Sequence, residues 1–331
     1  MDWKKVNKII RSSKCILLTT HENPDGDGLG SALAMYYHLI ELGKDCRMIN
    51  CSEVPEVYDF LNQDSIIEFY DAKTHDLWME SCDLAIIFDV GDFKRLRNIK
   101  DLIKSNHMTT INIDHHPHPE NHPFNINMVD TSAAATGSMI YEFFKQYRSI
   151  PLTKPICEGL YIAVMTDTGS FRYSNTDSVC HEIAIASLSA GVNTSKIYQK
   201  IYETKPAGSV RLLARVIDNI TFENEGELAW FTIDKAMLKA ANATAGDVDG
   251  FTDFVRSIKG VEVAVMIFEN SHNTCRVNFR SKGKYTVNDV AQSMGGGGHQ
   301  FAAGTFVQGK KEEIMPKVIS AVKASLKRQS V

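Results

Sequence analysis

Several things are missing from this 331-residue chain, and each absence excludes a class. No stretch of 18 apolar residues occurs, so no membrane-spanning helix is expected. The N-terminal segment MDWKKVNKIIRSSKCILLTT interleaves its apolar residues with Lys and Arg and lacks a cleavage site, so it does not read as a signal peptide. The seven cysteines are odd in number and include no C-x-x-C pair. Reduced, mostly buried thiols in a cytoplasmic protein are the simplest reading. Basic charge is not in excess: 36 Lys+Arg stand against 40 Asp+Glu, a net charge of −4. Coating of long duplex nucleic acid by bulk charge is thereby disfavoured, whereas a short anion held by a local patch is not. There is no internal repeat and no low-complexity tail. With 44% apolar and 23% charged residues, the composition is that of a folded globular chain long enough for two domains.

The first half alternates strand-like and helix-like segments. Residues 15–20, 46–50, 83–90 and 109–113 read as strands. Residues 29–42, ending near Gly43, and 134–147 and 153–166 read as helices. This rhythm predicts an α/β domain over residues 1–190, a parallel sheet with helices on both faces. Residues 191–224 read as a helical connector, with Pro206 near a helix start. A smaller α/β domain is expected over 225–331, with strands at 227–233, 261–268 and 274–281 and helices at 286–293 and 311–328. A cleft is expected between the two domains.

Four clusters carry candidate chemistry. His21-Glu-Asn-Pro-Asp25-Gly-Asp27-Gly follows the first strand, where ligands gather in parallel sheets. Its glycines and proline permit a tight turn, and a plain turn is the alternative. Asp89 ends the 83–90 strand. Asp114-His115-His116 ends the fourth strand. Asp167 falls where a helix breaks at Gly169. Ends of parallel strands lie on one edge of a sheet, so five Asp and three His are expected to converge. Five carboxylates so close repel: at an effective dielectric near 20, a pair at about 4 Å costs about 4 kcal/mol. Divalent cations relieve this, and mixed imidazole and carboxylate ligands favour Mn²⁺ or a similar transition ion over Mg²⁺. Two such ions would activate a bridging water and clamp a phosphoryl group.

In the second half, strand alternation puts Arg276, Asn278, Arg280 and Lys282 on one face and Val277 and Phe279 on the other. That polar face is either a solvated surface or an anion site. The tract Gly295–Gly298 before His299 is either a hinge or a backbone cradle for an anion. Arg172, after Asp167, reads equally as a phosphate contact or a structural ion pair. Arg95, after Asp89, is a weaker case of the same kind. His118 and His122, in the loop HPHPENHP, have no Cys partner for a separate zinc site. His38, His75, His107, His181 and His272 sit in ordinary helical or loop contexts, and no cysteine reads as a nucleophile.

The four clusters, in order, resemble the four motifs of the DHH phosphoesterase family. The C-terminal region with Gly295-Gly-Gly-Gly-His299 resembles the associated domain of its RecJ-like branch. In size and layout the chain is similar to the nano-RNase type, bifunctional oligoribonucleases that also remove the 3′-phosphate of adenosine 3′,5′-bisphosphate (pAp). The resemblance implies a metal-dependent hydrolase with two Mn²⁺, or with Mg²⁺ or another divalent ion. One metal would sit on His21, Asp25 and Asp89, the other on Asp27, Asp89, His115 and Asp167. Asp114 would orient its neighbours, and His116 would face the scissile phosphate. Arg280, Gly296, Gly297 and His299, with Arg172, would help hold the substrate. The implied partners are oligoribonucleotides of 2–5 nucleotides and pAp, without membrane or long duplex. A homodimer is left open. Within the same chemistry, cyclic or linear dinucleotide hydrolysis and exopolyphosphatase activity are alternatives. A catalytically silent nucleotide-binding protein is the non-enzyme alternative.

Overall fold

The structure is a computed structural model that describes residues 1–118, 121–269 and 273–330. His272 and Val331 lie outside the described residues. The chain divides into two compact units, Met1–Thr204 and Lys205–Val331.

The first unit runs α1 (Trp3–Ser12), β1 (Cys15–Thr20), α2 (Gly26–Glu41), β2 (Asp45–Asn50), β3 (Ile67–Phe69), α3 (Ala72–Glu80), β4 (Leu84–Phe88), α4 (Ile99–Ser105), β5 (Thr109–Asp114), β6 (Ile126–Val129), α5 (Thr136–Tyr147), α6 (Lys154–Asp167), α7 (Ser178–Ser189) and α8 (Thr194–Tyr202). Its sheet has the order β3-β2-β1-β4-β5-β6. Every pairing is parallel. Burial on both faces explains why β4, LAIIF, is apolar throughout and why β1 opens on the run CILL. Ile16, Leu18, Ile86 and Ile111 point into a core with α1, α2, α5 and α6. Leu17, Ala85 and Ile87 pack on the opposite face against Met79, Ile99 and Ile103 of α3 and α4.

The strand order reverses direction between β1 and β4, and such a switch point opens a crevice beyond the carboxyl ends of the strands. Register brings the ends level: Thr20 pairs with Phe88, and Phe88 with Ile113. The next residues, His21, Asp89 and Asp114, therefore emerge side by side. Two glycines bring the remaining donors there. Gly30 of α2 and Gly159 of α6 face each other so closely that a Cβ on Gly30 would lie 2.3 Å from the Gly159 carbonyl oxygen. That crossing sets the start of α2, with Asp25 and Asp27, against the end of α6, with Asp167.

The second unit runs α9 (Ala207–Ile217), β7 (Thr221–Glu223), β8 (Leu228–Ile233), α10 (Lys235–Ala241), α11 (Phe251–Arg256), β9 (Val263–Glu269), β10 (Thr274–Ser281), α12 (Asn288–Ser293), β11 (Gly297–His299), β12 (Ala302–Gln308) and α13 (Lys311–Gln329). Its sheet, β11-β12-β10-β9-β8-β7, is antiparallel except for the parallel pair β8–β9. Residues 191–224, expected as a connector, are shared: α8 belongs to the first unit and α9 to the second. One face packs Val277 and Phe279 against Val290 of α12 and Val318 and Val322 of α13. The other packs Phe231 and Met266 against Leu212 of α9 and Phe251 and Val255 of α11. Among the described residues, no helix is long and apolar enough to cross a membrane.

Candidate metal centre and active site

The turn after β1 is held by Asp25, which caps α2: its Oδ1 accepts from the amides of Asp27 and Gly28 at 3.1 Å each. The helix starts at Gly26, three residues before the sequence pattern suggests, so Asp27 lies in its first turn. Asp27 is fully buried. Ser31 Oγ and the Gly137 amide donate to its Oδ1, and the Thr136 amide to its Oδ2. Those two amides open α5, a helix end suited to an anion. Asp89 sits just past β4 with φ of +60°, a left-handed backbone that is unfavourable for a side chain bearing a Cβ. Strain of this kind concentrates where geometry is functional.

Three donor groups converge. His21, Asp25 and Asp89 bring ligand atoms within 4.8 Å of one another, as do Asp27, His115 and Asp167. Asp89 stands between these two sets, with Oδ2 at 3.5 Å from His21 Nε2 and Oδ1 at 3.6 Å from His115 Nε2. His115 Nε2 also lies 3.2 Å from Asp167 Oδ2 and 3.7 Å from Asp27 Oδ2. The third group is Asp89, Asp114 and His116. His116 Nδ1 lies 2.9 Å from Asp114 Oδ1 and 3.2 Å from Asp89 Oδ1. The His116 amide donates to the same Asp114 oxygen.

The charges are out of balance. Burial first, then the charges of Asp89 and Asp25, push Asp27 well above the usual carboxylate range. Burial and the Asp27, Asp89 and Asp25 charges do the same to Asp167. Burial would also raise Asp89, but the His116 and His21 rings beside it outweigh burial and hold Asp89 well below. Burial opposes the charged imidazoles, yet Asp25 and Asp89 raise His21 to about 10, and Asp114 and Asp89 raise His116 to about 11. These shifts are those of clustered acids that need protons or cations as partners. The donor set fits divalent metal: two groups of imidazole nitrogen and carboxylate oxygen share one carboxylate. Its buried Oδ1 accepts no well-formed hydrogen bond among the described residues.

The sequence pattern misses some members of the site. His118 is almost fully buried, and its Nε2 lies 2.5 Å from Asp114 Oδ2. Asn127 Nδ2 stands 3.4 Å from its Nδ1, so Nε2 carries the proton and donates to Asp114. Asp114 is thus clasped between His118 and His116, and with burial opposing, the two rings hold its carboxyl below the usual range. The sequence signal was the third histidine of D-H-H-P-H. His122 instead stacks on Phe124, with ring centroids 6.0 Å apart. Arg95 Nη2 lies 2.7 Å from His21 Nδ1. Arg172 is exposed, donates to the Gly169 carbonyl and forms no ion pair with a carboxylate among the described residues.

In the second unit, Arg280 contacts Asp253 Oδ2 at 3.4 Å and the Phe279 carbonyl. Gly297 and His299 lie on β11, His299 exposed and paired with Ala302. Gly296 passes so close to β12 that a Cβ would fall 2.2 Å from the Gly304 carbonyl oxygen.

Comparison with known proteins agrees with this layout. The family model "DHH family, N-terminal domain" matches residues 15–164, and "DHHA1 domain" matches 233–328. A curated relative, the bifunctional oligoribonuclease and PAP phosphatase NrnA of Thermus thermophilus, is 27% identical over 98% of this chain and 96% of its own length. The crystal structure of an exopolyphosphatase-related protein from Bacteroides fragilis superposes with a TM-score of 0.89 at 25% identity, covering 98% of this chain and 95% of that one. RecJ from Thermus thermophilus in complex with Mn²⁺ shares the fold, with a TM-score of 0.56 at 12% identity over 98% of this chain and 54% of that one. With both matches in chain order and the motif residues gathered on one sheet edge, the chain carries a DHH family N-terminal domain followed by a DHHA1 domain.

Proposed function

We propose that this protein is a metal-dependent phosphoesterase that hydrolyses short RNA oligonucleotides to mononucleotides and removes the 3′-phosphate of pAp. The observation that carries the reading is the pair of imidazole–carboxylate groups joined through Asp89. The full-length similarity to a relative named for both activities supports the substrate class. Two Mn²⁺ ions are proposed, one on His21, Asp25 and Asp89 and one on Asp27, Asp89, His115 and Asp167. Bound there, divalent cations supply a water made acidic by coordination and Lewis acidity at the phosphoryl oxygens.

The chain's own residues do the rest. His116, held through Nδ1 by Asp114, is proposed to face the phosphoryl group and stabilise its developing charge. The ring is proposed to protonate the leaving oxygen as water adds to phosphorus and the P–O bond breaks. Asp114 holds that ring at the required angle. Arg172 and, in the second unit, Arg280, Gly296, Gly297 and His299 are proposed to hold the remainder of the substrate. The cytoplasm is the proposed location, supported by seven cysteines that are all free. The test is a product ladder from labelled oligoribonucleotides of two to twenty-four residues, run beside pAp, a cyclic dinucleotide and polyphosphate, with and without Mn²⁺. Metal-dependent release from pAp and the shortest RNAs is expected. Release from polyphosphate or the cyclic dinucleotide alone refutes the reading.

A further inference from the structure

Helices α9 to α11 cover β8 and β9 on one face of the second sheet, and α11 reaches the Arg280 end of β10 through Asp253; among the described residues, no helix of this unit is packed on that face of β12. Alternation places Arg276, Asn278 and Arg280 of β10 there, half-buried, while Cys275, Val277 and Phe279 face the core. Across the ladder, Arg276 pairs with Phe306, Asn278 with Gly304 and Arg280 with Ala302. Phe306 is 65% exposed, a large ring without a core of its own. Between Arg276, Asn278, Gly304, Phe306 and the backbone of Gly296 lies a shallow cavity of about 240 Å³. Its floor is Gly304, where a Cβ would stand 3.4 Å from Asn278 Oδ1. The Arg276 guanidinium is engaged only lightly. It contacts Asn278 Oδ1 and Asp249, and Asp249 is 70% exposed. An ion pair that open is worth little and yields readily to an anion.

The geometry points to this cavity as a subsite for a distal nucleotide of a single-stranded oligoribonucleotide. The base stacks on Phe306 over the glycine floor, Asn278 meets a base edge, and Arg276 takes a phosphate. Aromatic platforms beside a cation bind single strands in this sequence-tolerant way. The inference rests on the phosphoesterase reading and deepens it. Arg276 lies four residues from Arg280, about 13 Å along the strand. A substrate confined to Arg280 and His299 does not engage Phe306, whereas a longer one does. The cavity therefore separates substrates by length: pAp and dinucleotides reach no further than its Gly296 rim, and RNAs of four or five nucleotides fill it as far as Phe306.

The test compares wild type with Phe306→Ala, Phe306→Trp and Arg276→Ala. kcat and KM are measured on pAp and on oligoadenylates of two to five residues. Equilibrium binding of a fluorescein-labelled five-residue oligoadenylate is measured in excess chelator. Phe306→Ala is expected to raise KM for the five-residue substrate about tenfold, with kcat unchanged and with pAp and the dinucleotide unaffected. Phe306→Trp restores wild-type KM, and Arg276→Ala repeats the length-dependent loss. Unchanged KM at every length in Phe306→Ala overturns the subsite, as does an equal loss on pAp and the pentamer. Dimerisation lost in Phe306→Ala with pentamer binding intact also overturns it, by making the ring a contact between copies. If wild type cleaves none of these substrates, the phosphoesterase reading fails. Weaker pentamer binding by Phe306→Ala in chelator then still supports the subsite, and equal binding refutes it.

Discussion

The crossing of α2 and α6 makes a demanding prediction for Gly30→Ala, a change that touches no candidate metal ligand. In an isolated helix it is favourable by about 1 kcal/mol, since alanine loses less conformational freedom than glycine. Here the added methyl would stand 2.3 Å from the Gly159 carbonyl oxygen and 3.0 Å from the Ala163 amide nitrogen. Both are backbone atoms of a hydrogen-bonded helix, so neither can swing aside. Relief requires the helices to part by about 1 Å, to restore ordinary contact distances. Overpacking costs about 1–3 kcal/mol, and rigid backbone on the receiving side puts this contact at about 2–3 kcal/mol, so it outweighs the propensity gain and leaves a net loss of about 1–2 kcal/mol. For a unit of this size that lowers the thermal midpoint by about 2–8 °C. The functional effect is larger. Asp25 and Asp27 ride on α2 and Asp167 ends α6, so the parting displaces one part of the donor set against the other. Misplacement by about 1 Å can cost about 100-fold in rate. Thermal unfolding, bound Mn²⁺ and turnover of pAp are measured on the variant. A midpoint at or above wild type with unchanged turnover refutes the claim that the glycine contact sets the donor geometry.

Four further outcomes are expected. Asp89→Ala should remove nearly all turnover and lower metal content below that of any other single-ligand variant, since it serves both donor groups; full activity would end the two-metal account. His116→Ala should lower kcat with metal retained, while His115→Ala should lose metal; equal loss, read by elemental analysis, would mean the two roles are assigned wrongly. His118→Leu should lower kcat about tenfold, the loss of a hydrogen bond to a charged group, with KM and metal unchanged, and His118→Gln should recover most of it; no recovery would reduce His118 to packing. The fourth outcome concerns acid stability. Burial, then the Arg148 guanidinium, lowers buried His38 to about 4, against 6.5 unfolded. Above pH 6.5 the ring is neutral in both states. As pH falls from 6.5 towards 4, the unfolded chain takes a proton that the folded chain refuses, and stability drops by about 3 kcal/mol. His38→Gln should lack this component, so parallel stability curves for the two proteins between pH 7 and 4.5 would refute it.

The sequence alone determined the four donor clusters, because their chemistry is local: each follows a strand or ends a helix, and strand ends in a parallel sheet share an edge. It also determined the central strands β1, β2, β4 and β5; in β1 and β4, burial on both faces leaves the apolar runs CILL and LAIIF. Helix α1 is absent from the sequence-based expectations, although its Trp3, Val6 and Ile10 lie buried at helical spacing. Its Lys and Arg residues belong to the exposed side of an amphipathic helix. Other elements left no pattern to read. The edge strands β3 and β6 are three and four residues long, too short for alternation to register. Strands β11 and β12 are built largely of Gly and Ala, poor strand formers that become strands only by pairing with each other and with β10. What tertiary structure alone decided is which atoms meet. Asp89 reaches both donor groups, and Asp27 sits on the amides that open α5, 109 residues away. His118 turns inward to Asp114, while His122 lies on Phe124. Residue type and spacing carry which groups are available to ligate. The distances between them depend on how strands and helices from across the unit pack, and packing is a sum over contacts that no local window contains.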